Sequence, residues 1–282
     1  MFHSCIFLLY YNTFIKKSQK LFLHLISSQL ITNSLKIIGI IQARMNSQRL
    51  PGKVMMNLLD KPIIWHIYNR LKHCKYLDDA VISTGEYSNN KEIIDFAKAE
   101  KIPYFEGSEK DLIDRLYETT VKFQASAIVR ITADCPLVDP VVVDKLVQFY
   151  RNNPQYDIVT NCKVRTFPHG LDAEIYSLES LKKMWKEIKQ PEIREWFPFF
   201  VEKNQSMFKI FNVENDQNLS NLRWALDYPE DYELIKIIYQ SLFKQNEVFT
   251  TKDVLALLEQ NPKLSEINSK YAGHHNVGAP TI

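Results

Sequence analysis

The sequence predicts an α/β fold with a mainly parallel sheet and helices on both faces. Three observations carry that reading. Short β-branched runs alternate with longer segments of helical period from Leu35 onward. The 282 residues, 45% hydrophobic and 24% charged, can bury the core of one large α/β domain without disulfides. No Gly/Ser/Pro-rich linker divides the chain, which favours one domain with an inserted lobe over two domains.

Taken in order, Ile37–Gln42 is a continuous apolar run suited to a strand buried on both faces. Beyond a polar loop, Pro62 opens a helix with Ile63, Ile67 and Leu71 on one side, and Ala80–Thr84 reads as the second strand. A helix over Lys91–Ala99, a short strand Pro103–Phe105, a helix Asp111–Phe123 and a strand Ala127–Thr132 follow. Pro140–Tyr150 has Pro in its first turn, and Asp157–Asn161 is again extended. Then the rhythm changes. Ala173–Ser177 and Phe208–Val213 read as strands around a helical stretch Leu178–Lys203, so a lobe is expected over about residues 165–213. Leu222–Leu226 reads as a strand before a helix from Pro229 to about Phe243, the domain closes near Asn268, and residues 269–282 read as a loose tail.

Composition excludes several classes. The four cysteines, Cys5, Cys74, Cys135 and Cys162, have neither zinc-site spacing nor disulfide-scaffold density, so a cytoplasmic protein is expected. The longest apolar run of residues 1–36, Cys5 to Tyr11, is far short of the roughly 20 residues of a membrane span, and this segment is expected to be an extension outside the core. A net charge of +2 gives no sign of a nucleic-acid binder. Its distribution is uneven. Lys16, Lys17, Lys20, Lys36, Arg44, Arg49 and Lys53 all precede the first acid, Asp60.

Three of those cations lie in the loop Gln42-Ala43-Arg44-Met45-Asn46-Ser47-Gln48-Arg49-Leu50-Pro51-Gly52-Lys53, at the carboxyl end of the first strand, where open α/β sheets bind ligands. Arg44, Arg49 and Lys53 can surround a polyanion, with backbone N–H groups near Ser47 and Gly52 as further donors; a solvated basic loop is the alternative. Val54 after Gly52-Lys53, and the missing upstream glycine, exclude a Walker A loop.

This loop resembles the signature of the cytidylyltransferases that activate acidic sugars, the 3-deoxy-manno-octulosonate and acylneuraminate cytidylyltransferases, and is nearest to the branch associated with spore-coat polysaccharide. The resemblance runs from about Ile37 to Asn268. It implies a Rossmann-like fold of the nucleotide-diphospho-sugar transferase type and Mg²⁺-dependent transfer of CMP from CTP to a sugar, with pyrophosphate released, for surface polysaccharide or glycan. By that likeness Ala43, Arg44, Ser47, Arg49, Lys53 and Thr132 hold the nucleotide, and Arg44, Lys53 and Asp134 carry catalysis.

Asp134, in Thr132-Ala133-Asp134-Cys135-Pro136, and Asp227, in Leu222-Arg223-Trp224-Ala225-Leu226-Asp227, each follow an apolar run. Alone, each reads first as a turn or cap; the resemblance implies that both bind Mg²⁺, while Glu230 and Asp231 stay helix-capping acids. Phe167-Pro168-His169-Gly170-Leu171-Asp172-Ala173-Glu174 resembles the sugar-facing stretch, which assigns His169, Asp172 and Glu174 to the acceptor. Two departures stand out: Trp196 follows Arg194-Glu195 where relatives carry His, and Thr84–Asn90 lacks the usual acidic pattern near the base.

A glycosyltransferase would need an Asp-any-Asp metal motif, and Asp134 and Asp139 are too widely spaced; a non-catalytic scaffold is the remaining alternative. The stretch Leu178–Lys203, rich in Trp and Phe, is expected to offer a homodimer surface.

Overall fold

The computed structural model describes residues 35–244 and 248–273. The extension expected at residues 1–36 lies outside them as far as residue 34, as does the tail expected beyond residue 273.

One seven-stranded sheet organises the chain. Its strands are β1 (Ile37–Gln42), β4 (Asp79–Thr84), β5 (Tyr104–Glu106), β6 (Ala127–Thr132), β7 (Ile158–Thr160), β8 (Glu174–Ser177) and β9 (Ile210–Asn212), in the order β5-β4-β1-β6-β8-β7-β9. A small antiparallel pair, β2 (Asn57–Leu58) and β3 (Lys61–Pro62), stands apart. β1 pairs in parallel with β4 and β6, and β8 runs against both of its neighbours. The continuous apolar character of β1 follows from its central place, since Ile37, Ile38, Ile40 and Ile41 are fully buried.

The helices are α1 (Ile63–Leu71), α2 (Tyr87–Ala99), α3 (Leu112–Lys122), α4 (Pro140–Asn152), α5 (Leu178–Glu187), α6 (Pro191–Glu195), α7 (Phe197–Lys203), α8 (Pro229–Leu242) and α9 (Thr251–Gln260). Their starts are chemically marked. Asp111 accepts from Asp114 N at 3.0 Å to cap α3, and Asp139 accepts from Val141 N at 2.8 Å to cap α4 behind Pro140. The core joins both layers through Ile38, Ile40, Val81, Leu116, Ile128 and Tyr176.

Three elements differ from the sequence reading. α2 starts at Tyr87, four residues earlier than the apolar period suggests, and bends at Asn90, whose amide Oδ1 accepts from Met45 N at 3.0 Å and whose Nδ2 donates to Glu109 at 2.7 Å. Ser269–Tyr271, expected to begin the tail, form a 3-10 turn in which Tyr271 stacks on Tyr228 with centroids 3.8 Å apart. Leu222–Leu226 is not a regular strand. Trp224, Ala225 and Leu226 are buried as strand residues would be, but their neighbour is a loop, and one isolated bridge, His169 to Arg223, is formed. His169 N donates to Leu222 O at 2.9 Å and Trp224 N to His169 O at 2.6 Å.

That close approach requires Gly170, which has φ +108°; a Cβ there would lie 2.4 Å from the Trp224 carbonyl carbon. Gly170→Ala is therefore expected to destabilise the fold by roughly 3 kcal/mol, from backbone strain plus steric overlap. Urea denaturation checks this, and a loss below about 1 kcal/mol would mean that the two segments can part cheaply.

Candidate active site

Of the three cations in the loop after β1, Lys53 is the most buried. Ala43 N donates to Ser83 O at 3.1 Å, continuing the β1–β4 pairing by one residue. Met45 O then accepts from Ser47 N at 2.9 Å and Gly52 N at 3.2 Å, folding the loop back on itself. Gly52, with φ +68°, redirects the chain into a single 3-10 turn, Lys53–Met55, and delivers the Lys53 side chain into the interior.

There the Lys53 ammonium meets three oxygens: Leu226 O at 2.7 Å, Asp227 Oδ1 at 2.8 Å and Asp134 Oδ2 at 3.5 Å. Arg49 Nη2 lies 2.6 Å from the same Asp227 oxygen. Arg44 points elsewhere, donating to Glu109 O at 2.8 Å and pairing with Glu195 of α6. Arg49 and Lys53 therefore converge on one acid, while Arg44 holds the carboxylate of the residue before Trp196.

Asp134 and Asp227, 93 positions apart, are brought together by the backbone, because Leu226 N donates to Asp134 O at 2.8 Å. Thr132 Oγ1 donates to Asp134 Oδ1, fixing the rotation of that carboxylate. Around Asp227 stands a buried network. Arg223 Nη2 donates to Asp227 Oδ2 at 2.8 Å, and its Nε and Nη2 reach the two oxygens of Asp231 at 3.0 Å each. Asp231 Oδ2 also accepts from Asp227 N and Tyr228 N, so the capping role expected of it is present. Asn268 Nδ2 completes the network, donating to Asp231 Oδ1 at 2.8 Å and Arg223 O at 2.9 Å.

Burial disfavours charge on Asp227, yet Lys53 and Arg49 hold its carboxyl well below the usual carboxylate range. Burial likewise opposes the Lys53 ammonium, and Asp134 and Asp227 outweigh it, raising its pKa above the ordinary lysine value.

His169, Asp172 and Glu174, expected to face the acceptor, each meet an arginine of the chain. Asp172 forms a two-pronged pair with Arg165, with Nη2 to Oδ2 at 2.9 Å. Glu174 is bound by Arg130 and accepts from Tyr176 Oη at 2.9 Å, while Arg130 Nε donates to Gln42 at 2.7 Å. Burial pushes the His169 pKa down, leaving a neutral ring. Arg223 Nη1 lies 3.0 Å from His169 Nδ1, and because Arg only donates, the ring carries its proton on Nε2.

A third cluster forms beside Arg44. Arg115 is wholly buried with Nε and Nη2 unpartnered, and Thr84 Oγ1 and Glu195 Oε2 are likewise buried without partners. Burial pushes the Arg115 pKa down to about 10 and that of Glu195 upward.

Sequence reasoning missed Arg223, Glu195 and Arg165. A signal for Arg223 was present: a charge inside the apolar run Leu222–Leu226 must be paired if that run is buried. No comparable signal marks Glu195, whose place depends on the packing of α6 against α3. Arg194 sets that packing by donating to Asp111 at 2.5 Å and to the carbonyls of Trp185 and Ile188 at 2.8 Å.

Two carboxylates that share one ammonium near the strand ends offer the oxygen ligands that suit a hard divalent cation. Among the described residues no three His, Cys, Asp or Glu side chains cluster as a metal cage. Asp134 and Asp227 would hold such an ion together with phosphate and water oxygens.

A mainly parallel sheet that gathers cations and two carboxylates at the carboxyl ends of its central strands suits nucleotide chemistry, and the class it defines is a nucleotidyltransferase with a Rossmann-like sheet. Residues 38–253 match the family described as cytidylyltransferase, and the chain belongs to that family. It is similar to an uncharacterised protein of Methanocaldococcus jannaschii, at 33% identity over 83% of this chain and 95% of the relative. It is also similar to the spore coat polysaccharide biosynthesis protein SpsF of Bacillus subtilis, at 27% identity over 80% of this chain and 95% of the relative. Among solved structures, a cytidylyltransferase from Leptospira borgpetersenii superposes with a TM-score of 0.77 at 33% identity, covering 82% of this chain and 96% of that one. A CMP:2-keto-3-deoxy-manno-octonic acid synthetase complexed with CTP shares the fold, with a TM-score of 0.58 at 18% identity, covering 73% of this chain and 100% of that one.

Proposed function

We propose that this chain transfers CMP from CTP to an acidic sugar in a Mg²⁺-dependent reaction that releases pyrophosphate, for surface polysaccharide or glycan synthesis. The convergence of Arg49 and Lys53 on Asp227, with Asp134 beside them, is the observation that carries this reading. In the reaction a sugar hydroxyl attacks the α-phosphorus, the bond to the leaving pyrophosphate breaks, and the hydroxyl proton passes to solvent. Arg49 and Lys53 take the phosphate oxygens, where negative charge grows, and Arg44 joins them on leaving Glu195. Asp134 and Asp227 would hold Mg²⁺, which when bound would supply neutralisation of the charge growing on phosphate and lower the pKa of a nearby hydroxyl. Thr132 keeps Asp134 turned toward the site.

Ala43 and Ser47 line the loop that faces the nucleotide, and the unmet polar atoms of Arg115, Thr84 and Glu195 match the polar edge of a base. On this reading the base lies beside the bend of α2, where Asn90 binds Glu109. Asp172, Glu174 and the Nε2–H of neutral His169 read the acceptor's hydroxyls and carboxylate. Asp139 has no part in the site, because it caps α4 and accepts from Thr251 N and Oγ1 at 2.6 Å, which removes the residue a glycosyltransferase reading would need.

The three described cysteines, Cys74, Cys135 and Cys162, are free, in keeping with a cytoplasmic enzyme. Among the described residues no helix is long and apolar enough to cross a membrane. The aromatic content of Leu178–Lys203 already has partners within the chain: Trp185 Nε1 donates to Asp114 at 2.7 Å and Phe197 is fully buried against Tyr176. A homodimer through this stretch therefore rests on its remaining outer surface.

Purified protein incubated with Mg²⁺, each NTP in turn and a panel of sugar acids and sugar phosphates tests the reading through pyrophosphate release. Release with CTP and a sugar acid is expected. No release with any pair would refute it.

A further inference from the structure

Each cation of the loop after β1 already holds a carboxylate of its own chain: Arg44 holds Glu195, Arg49 holds Asp227, and Lys53 holds Asp227 and Asp134. Lys53 is distinctive because its two partners are the same carboxylates assigned above to the metal. Its three ammonium protons face three oxygens, Leu226 O completing the set at 2.7 Å, so its bonding is saturated. Leu226 itself is tied to Asp134 through its backbone N–H, so all three acceptors belong to one rigid unit.

The charges around this point balance without any added ion. Lys53, Arg49 and Arg223 contribute three positive charges against the three negative charges of Asp134, Asp227 and Asp231. A divalent cation entering alone would leave a largely buried site with two uncompensated positive charges, and would sit within a few ångströms of the Lys53 ammonium, where repulsion is strong in a low-dielectric setting. A triphosphate reverses the balance, since it offers oxygens to Lys53 and Arg49 and brings excess negative charge.

We propose that the Lys53 ammonium is the resident cation of this site, a placeholder that pairs Asp134 with Asp227 until a nucleoside triphosphate draws it onto phosphate oxygens, so that the carboxylates become available to a metal only in the nucleotide complex. The proposal rests on the nucleotidyltransferase reading of the same site. Its content is an exchange of partners. The Lys53 stem stays buried, with the residue only 9% exposed, and only the end of the side chain swings. Asp134, the more exposed of the two carboxylates, with 27% of its side chain accessible against 6% for Asp227, is the side on which the exchange opens.

The test measures Mn²⁺ binding to the full-length, nucleotide-free protein by electron paramagnetic resonance, with no turnover involved. Wild type is expected to bind weakly at this site. Lys53→Met, which keeps the stem and removes the ammonium, is expected to bind Mn²⁺ about ten-fold more tightly. Arg49→Met removes the same charge from a cation that pairs with Asp227 and lies over the Tyr228 ring, so it is expected to tighten binding less, by about two-fold to three-fold. Equal effects of the two variants, or no tightening in Lys53→Met, would overturn the proposal. Should Lys53→Met fail to fold, anomalous maps from wild-type crystals soaked in Mn²⁺ alone decide the matter: no peak between Asp134 and Asp227 is expected, and a peak there beside an unmoved Lys53 contradicts the placeholder. The function reading fails differently, through absence of CTP-dependent pyrophosphate release from wild type whatever the Mn²⁺ result.

Discussion

Asp134→Asn is expected to lower pyrophosphate release by about 10³-fold, close to 4 kcal/mol of transition-state stabilisation, while leaving the fold almost intact. The two expectations have separate causes. Turnover falls because the amide gives a neutral, poorer ligand at the point where Asp134 would share a metal with Asp227. Stability is spared because the Asp134 side chain is 27% accessible, its contact with Lys53 is long at 3.5 Å, and the Asn carbonyl still accepts from Thr132. A partly exposed pair of that length contributes on the order of 1 kcal/mol or less, which shifts the melting midpoint by about 2–4 °C in a domain of this size. Steady-state assay and thermal melting of the same preparation check both halves. A collapse of the melting midpoint would identify Asp134 as a structural turn residue, and near-normal turnover would remove it from the reaction.

The elements around this site were legible to different degrees, for physical reasons. β1 and β6 are central strands, so their sequences are dominated by apolar residues, with Arg130 of β6 paired to Glu174, and their limits, Ile37–Gln42 and Ala127–Thr132, could be read directly. The cations and acids could be picked out by type and by position at strand ends, and the family membership separately bears out the class of chemistry. Pairings were not legible. That Arg44 turns away to Glu195 depends on α6 docking on α3 through Arg194 and Asp111, a tertiary arrangement with no local pattern. The misread strand at Leu222–Leu226 shows the opposite difficulty. Burial alone gives a run the apolar composition of a strand, and only the partner segment, here a loop kinked at Gly170, decides whether a ladder forms. The early start of α2 has a similar origin, because Asn90 gives up helical geometry to bind Met45 and Glu109.

Arg223→Met is expected to be the most damaging substitution to stability, at about 3–5 kcal/mol, although Arg223 binds the Asp227 oxygen that Lys53 does not and has no assigned contact with substrate. Arg223 has only 2% of its side chain exposed and bridges Asp227, Asp231 and His169. Met fills much of the same volume, so packing is largely conserved. Charge is not. Asp231, fully buried, would keep its bonds to Asn268 and to two backbone N–H groups but lose its cation, and Asp227 would lose one of three. Removing one member of a buried ionic network leaves uncompensated charge, which costs far more than the pair contributes when intact. Arg223→Lys should recover only part of the loss, because an ammonium cannot span both carboxylates and the imidazole as the planar guanidinium does. Urea denaturation with an unchanged m-value gives the measurement. Adding Asp231→Asn to Arg223→Met then separates charge from packing. If uncompensated charge is the cause, the double variant is more stable than Arg223→Met alone, by about 1–2 kcal/mol. If the double variant is less stable by the full sum of the single losses, the network is held by packing and the electrostatic account is wrong.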